Sequence, residues 1–226
     1  MKVRSMVFVV VPAYNEEKNI GRVIRDLFQH GYKNVVVVDD GSDDNTYIEA
    51  QKMGATVLKH ENNRGQGAAL QTGNEFALDN GAEIIAHFDA DEQMNAGDIC
   101  KAIKKIQEED LDIVFGSRFL NGAVGVPWTK RFIILPIARF INNFFSGLRL
   151  TDAHNGFRVM TRQSAEKIII TQDGMAHNSE ITAQVKKNGL SYAEIPVNFV
   201  YKEYGQGIIG GVVILRDLLL GIFIRQ

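Results

Sequence analysis

Cys100 is the lone cysteine in 226 residues, so no disulfide can form within the chain, and a reducing compartment is the expected setting. Zinc spacing is also missing: His30, His60, His87, His154 and His177 are scattered, which argues against a zinc site, a metalloprotease or a Cys/His nucleophile pair. The chain has no Gly-x-x-x-x-Gly-Lys-[Ser/Thr] loop. Gly65-Gln66-Gly67 opens like a dinucleotide fingerprint, but Leu70 occupies the third glycine position, so neither a P-loop nor a Rossmann site is expected. A formal net charge of −2 leaves no global basic field, which excludes nucleic acid as a main partner. No run of about 18 uncharged apolar residues occurs, so no transmembrane helix is expected. The apolar stretch Met1 to Val11 leads into Pro-Ala-Tyr-Asn-Glu-Glu without a small-residue cleavage site, and reads as a buried first strand rather than a signal peptide.

What is present is a globular mixture, 45% hydrophobic and 23% charged, long enough for one domain with a sizeable core. To about residue 117, strands and helices alternate. Apolar runs at Val7 to Val11, Val35 to Val38, Thr56 to Lys59, Ile84 to Phe88 and Asp112 to Gly116 read as strands. Helical spacing recurs from Ile20 to Phe28, from Ser42 or Asp43 to Gly54, from Gly65 to Leu78 and from Gly97 to Gln107. Unbroken apolar strands alternating with helices imply a mostly parallel sheet in an α/β sandwich. Beyond 117, Asn155 to Met160 reads as a strand, Ser164 to Ile170 and Ser179 to Lys187 as helices, and Tyr192 to Tyr201 as one bent strand or a pair.

In a parallel sheet, ligands sit at the carboxyl ends of the strands. Polar clusters stand at those ends: Tyr14 to Glu16, Asp39 to Ser42, Asp89 to Gln93 and Ser117-Arg118. On an extended backbone, residues two apart face the same way. Asp89, Asp91 and Gln93 can then present oxygens to Mg²⁺ or Mn²⁺, although a solvated acidic turn would look the same. Asp39 and Asp40 suit a base or ribose, or a helix cap. Tyr14 can stack on a base while Glu16 accepts from it; equally, Pro12 breaks the strand and Asn15 caps a helix. Amides near Gly67 can face an anion. The apolar stretch from Arg131 to Leu148, with four phenylalanines beside the loop bearing Trp128, suits a membrane interface somewhat better than a core.

Taken in order, Val11-Pro-Ala-Tyr-Asn-Glu-Glu17, Val38-Asp-Asp-Gly-Ser-Asp-Asp44, Asn63-Arg-Gly-Gln-Gly67, Asp89-Ala-Asp-Glu-Gln93, Gly116-Ser-Arg118 and Asn155-Gly-Phe-Arg158 resemble the family 2 glycosyltransferases, in particular the branch of dolichyl-phosphate mannose synthases and related polyprenyl-phosphate glycosyltransferases. The resemblance covers most of the chain. It implies a GT-A fold and an inverting, metal-dependent transfer from a GDP- or UDP-sugar. By this resemblance Pro12, Tyr14, Asn15, Glu16, Asp39, Asp40, Ser42, Gly67, Asp89, Ala90 and Asp91 surround the nucleotide, and Asp89, Asp91 and Gln93 hold Mg²⁺ or Mn²⁺. Asp91, Arg118 and Arg131 carry the reaction, and Arg118, Arg131, Arg158 and Lys202 meet a lipid-phosphate acceptor.

For a hydroxyl acceptor, Asp152 and Glu180 are the candidate bases. The expected organisation is a glycosyltransferase domain over 1–204, with a nucleotide half to about 117 and an acceptor half from 118, followed by an apolar segment over 205–226. Arg216 and Asp217 argue against that segment spanning a bilayer, so the expected location is cytoplasmic and peripheral to a membrane face. Two other readings are weaker. A sugar-phosphate nucleotidyltransferase calls for a Gly-rich, Arg-bearing loop where Pro12 to Glu17 stands. A non-catalytic nucleotide-sugar-binding module sits poorly with an intact acidic set.

Overall fold

The computed structural model describes residues 6–120, 148–153 and 155–198. Arg131, Trp128, Lys202, the apolar stretch from Arg131 and the segment 205–226 lie outside the described residues. Seven strands form one sheet in the order β3-β2-β1-β4-β6-β5-β7. They are β1 (Val7–Ala13), β2 (Asn34–Asp39), β3 (Thr56–Lys59), β4 (Ile84–His87), β5 (Ile113–Ser117), β6 (Arg158–Thr161) and β7 (Tyr192–Pro196). The helices are α1 (Ile20–Gln29), α2 (Thr46–Lys52), α3 (Gln66–Asp79), α4 (Gly97–Glu109), α5 (Arg162–Lys167) and α6 (His177–Lys187).

The apolar strand runs are continuous because both sheet faces are covered. Val9, Val11, Val35, Val37, Ala86, Val114 and Val159 face a core with Ile20, Val23, Ile24 and Leu27 of α1 and Ile99, Ala102 and Ile106 of α4. Phe8, Val10, Val36, Val38, Ile85, Ile113, Phe115 and Met160 face the opposite core, with Ala69, Leu70 and Ala77 of α3 and Ile181 and Val185 of α6. Neighbours in sequence thus serve opposite cores, and each fully buried aliphatic contributes roughly 1.5–3 kcal/mol.

Two details differ from the sequence reading. Pro12 does not break the first strand; β1 continues to Ala13, in register with Asp39 of β2. Val10 turns its carbonyl to β4, accepting from Phe88 N, and Ala13 turns its carbonyl toward β2, accepting from Asp40 N. Pro12 therefore faces the β4 side, where the ladder has already ended at the Val10–His87 pair, so its missing N–H leaves no gap. Nor do Ser42 or Asp43 cap α2. The helix starts at Thr46, and Asp44 accepts from Thr46 N at 2.9 Å.

All pairings among β1 to β4 are parallel, and β5 runs parallel to β7, whereas β6 is antiparallel to both β4 and β5. Consequently β1, β2, β3, β4, β5 and β7 end at one edge of the sheet, and β6 begins there. Among the described residues, no helix is long and apolar enough to cross a membrane.

Gly73 lets α3 lie flush on β1: a Cβ there would collide with the Val10 side chain. Gly73→Ala raises intrinsic helix propensity yet should destabilise the protein by about 1–3 kcal/mol, because overpacking outweighs propensity. A lower urea midpoint at unchanged m-value is the expected result; a higher midpoint would show that the contact relaxes freely.

Candidate active site

The loops after β1 and β2 interlock. Asn15, in the left-handed region at φ 55, donates its N–H to Ser42 Oγ at 3.0 Å, while Asn15 Oδ1 accepts from Asp43 N at 3.0 Å. Glu16 N donates to Thr46 Oγ1 at 2.7 Å, and Glu17 N to Asp44 Oδ2 at 3.1 Å. Asn15 and Ser42 thus tie the loops after β1 and β2 together, while Tyr14 beside them is 43% exposed.

The two adjacent aspartates of β2 have different work. Asp40 is buried and fully engaged: Oδ1 accepts from Arg64 N at 3.0 Å and His60 Nδ1 at 2.6 Å, and Oδ2 from Gly65 N at 2.6 Å. It ties the end of β2 to the turn that opens α3. Gly41 between these loops has φ 71, and a Cβ there would lie 2.6 Å from the Asn62 carbonyl carbon. Asp39 is also buried. Its Oδ1 accepts from Ser42 N at 3.1 Å, but Oδ2 accepts no hydrogen bond, and Lys59 Nζ is 4.0 Å away. Gly67 N donates to Asp173 O at 2.8 Å, so the α3 amide at this position is turned to the 172–173 backbone.

Asp89 follows β4 and is half-buried. The segment from Asp89 to Gln93 is a turn rather than an extended run: Glu92 has φ 63, and Gln93 N donates to Asp91 Oδ1 at 3.0 Å. The two carboxylates are therefore brought together by a turn and not by strand alternation. Burial, and next the Asp91 carboxylate, push the Asp89 carboxyl up to about 6, against the pull of Arg158, Arg118 and a 3.1 Å hydrogen bond from Gln66 Nε2. Gly156, just before β6, leaves room for Asp89, since a Cβ there would lie 2.6 Å from Asp89 Oδ2.

Arg158 has no exposed surface, so it acts on the site from beneath rather than by touching an acceptor. It pairs in register with His87, donates to Asn178 Oδ1, and leaves Nε and Nη1 without hydrogen-bond partners. Burial pushes its guanidinium down to about 10, with Asp89 opposing. His87 is held neutral, its pKa lowered well below the usual imidazole range by burial and then by Arg158 and His177.

At the end of β5, Arg118 meets Asp152 in a fork: Nε to Oδ2 and Nη2 to Oδ1, both at 2.7 Å, with Arg118 N adding 3.1 Å to Oδ2. Asn155 Nδ2 also donates to Asp152 Oδ2 at 3.3 Å. Asp152 thus holds an arginine. Glu180 accepts from the 171 and 172 backbone amides at 2.9 Å. Gln66 and Gly156 fall inside motifs that the sequence showed but without a role of their own, and Thr46 and His60 did not stand out as site residues. Each acts by contact with a residue 20 or more positions away, and no local spacing signals that.

The two carboxylates fit a divalent cation shared with substrate phosphates. Among the described residues, no three His, Cys, Asp or Glu side chains gather into a cage, and hard cations bound with phosphates need only one or two carboxylates. A folded pKa near 6 against 3.8 means that the native state binds the extra proton, so this group lowers stability as pH rises from about 4 to about 6. Metal-free Asp89→Asn should therefore gain on wild type across that window and hold its gain above it, measured by urea unfolding at each pH. A difference independent of pH would contradict the raised Asp89 carboxyl.

A family model for glycosyl transferase family 2 matches residues 8–169. The chain is 34% identical over 242 residues to a UDP-N-acetylglucosamine–dolichyl-phosphate N-acetylglucosaminyltransferase of Methanococcus voltae, covering 96% of each. It is 27% identical to a polyprenol monophosphomannose synthase of Mycolicibacterium smegmatis, covering 90% of this chain and 80% of the relative. The fold matches glucosyl-3-phosphoglycerate synthase from Mycobacterium tuberculosis, solved with Mn²⁺, UDP and glucosyl-3-phosphoglycerate. The TM-score is 0.72 at 17% identity, over 96% of this chain and 80% of that one. With the acidic turn, the shared edge of strand ends and the ordered sequence blocks, these matches place the chain in glycosyl transferase family 2, an enzyme family, with the GT-A fold.

Proposed function

We propose that the protein is a metal-dependent, inverting glycosyltransferase that moves a sugar from a UDP-sugar to a polyprenyl or dolichyl phosphate at a membrane surface. The observation that carries the acceptor class is the Arg118–Asp152 fork. A hydroxyl acceptor needs a base, and the two carboxylates considered for that task, Asp152 and Glu180, are committed to Arg118 and to the 171–172 backbone. A phosphate acceptor brings its own charged oxygen and needs an aligned cation instead, which Arg118 supplies. The dolichyl-phosphate relative points the same way.

In the displacement, an acceptor oxygen forms a bond to the anomeric carbon as the bond to the nucleotide diphosphate breaks on the opposite face. The leaving group keeps the electron pair, and the anomeric configuration inverts. Asp89 and Asp91, with Gln93 beside them, would hold Mg²⁺ or Mn²⁺, whose chemistry is to draw off the charge building on the diphosphate. Tyr14 stands at the end of β1, exposed for stacking on the base.

Asp39 supports the choice of a uracil base. A buried carboxylate oxygen without a donor calls for one from a bound molecule. The single imide N–H of uracil suits that open oxygen, Oδ1 being already bonded once by Ser42 N, and the UDP-N-acetylglucosamine-using relative points to the same base. The neighbouring Lys59 side chain is 50% exposed and able to shift aside.

Calorimetry with UDP and GDP, each with Mn²⁺ or EDTA, tests the donor half. UDP should bind with Mn²⁺, and at least about tenfold more weakly in EDTA, in Asp91→Ala and in Asp39→Asn. A preference for GDP would overturn the base assignment alone. Binding of neither nucleotide to folded protein would remove the transferase reading.

A further inference from the structure

Arg118 is only as well placed as the backbone that carries Asp152. That backbone, within residues 148–153, belongs to no helix or strand, so its amides need partners other than a ladder. Arg149 N donates to the Tyr192 hydroxyl at 3.2 Å, and the Thr151 and Asp152 amides share one carboxylate, delivered from the edge strand β7, where Glu194 lies in register beside Phe115 of β5. Thr151 N donates to Glu194 Oε1 at 2.8 Å and Oε2 at 2.9 Å, Thr151 Oγ1 donates to Oε1 at 2.9 Å, and Asp152 N donates to Oε1 at 3.2 Å. Thr151 Oγ1 in turn lies 2.6 Å from Ser117 Oγ, which accepts from Phe119 N at 3.2 Å. The residues on either side of Arg118 are thereby tied to the network that holds its carboxylate partner.

We infer that Glu194 is a positioning residue for the acceptor anion. It fixes the Thr151–Asp152 backbone and, through the Asp152 carboxylate, the plane of the Arg118 guanidinium. The inference rests on reading Arg118 as the ligand of the acceptor phosphate. An ionised carboxylate suits the task because every group facing it from 151 and 152 is a donor, and a carboxylate only accepts. Glutamine keeps one accepting oxygen and turns an amino group toward those donors; alanine removes the shared acceptor of the Thr151 and Asp152 amides. Displacing an aligned group by about 1 Å is enough to cost on the order of 100-fold in the step that it serves.

The test is the affinity of the full chain for farnesyl phosphate in the presence of UDP and Mn²⁺, beside its affinity for UDP and Mn²⁺ alone. Glu194→Ala should weaken farnesyl phosphate binding by at least about tenfold while UDP binding stays within about twofold, and Glu194→Gln should fall between alanine and wild type. In an Arg118→Ala background the added loss from Glu194→Ala should shrink to less than about twofold, since the two residues act as a unit. An equal loss in both backgrounds overturns the inference. So does an unchanged Glu194→Ala when Arg118→Ala is impaired, and that outcome leaves the acceptor reading standing. If wild type does not bind farnesyl phosphate, or Arg118→Ala binds it equally well, the acceptor reading itself falls and takes the inference with it. Should Glu194→Ala fail to fold, Glu194→Gln decides: selective loss of the phosphate ligand supports the role, and no change in either ligand overturns it.

Discussion

A guanidinium with no exposed surface must find negative charge, because an isolated ion buried in a low-dielectric interior is far too costly to keep. Arg158 lies in that position, and the carboxylate that answers it is Asp89. The antiparallel strand β6, inserted between β4 and β5, makes this opposition possible: it begins at the edge where its neighbours end. The same strand start brings Gly156 against Asp89, and the Asn155 side chain to Asp152. Burial, and next Asp91, push the Asp89 carboxyl up to about 6, while Arg158 and Arg118 pull against them. A cation bound there would offset the charge of both carboxylates, which is why the proposed metal is placed at the acidic turn.

Around this centre the loops are fastened by side chains whose residue types look like ordinary helix caps. Asp44 both caps α2 and receives Glu17 N from the first loop, and Thr46 receives Glu16 N. Asp40 collects two backbone amides and an imidazole from residues 60–65. Losing such an acceptor strands several buried donors at once, each at about 1–3 kcal/mol. The strand-end loops therefore form one fastened surface rather than separate turns.

The acceptor side uses the same device with opposite charge. Asp152 has the residue type of a base, but its bidentate pairing makes it the holder of a cation. An arginine so held has already given up its rotamer freedom, so an anion that it met would be bound without that cost.

Much of the fold could be read from the sequence because its signals are local. Runs such as Val35 to Val38 mean strands buried on two faces, Ile20, Val23, Ile24 and Leu27 mean a helix with one buried stripe, and a polar cluster after each strand marks the ligand edge. The ordered motifs identified the family for the same reason, since each is a short segment with its own chemistry. Direction and partnership could not be read that way. Nothing in Arg158 to Thr161 says that this strand runs against its neighbours, that Arg158 lies beneath the site instead of in it, or that Pro12 falls just past the end of a ladder. Whether Asp39 or Asp40 keeps an oxygen open, and whether Asp152 takes a proton or grips an arginine, depends on groups 20 to 40 residues away in the chain. Pattern in the sequence determines which face of each element is apolar; only the packed sheet determines which polar groups meet, because a hydrogen bond or ion pair acts over a few ångströms of space and takes no account of separation along the chain.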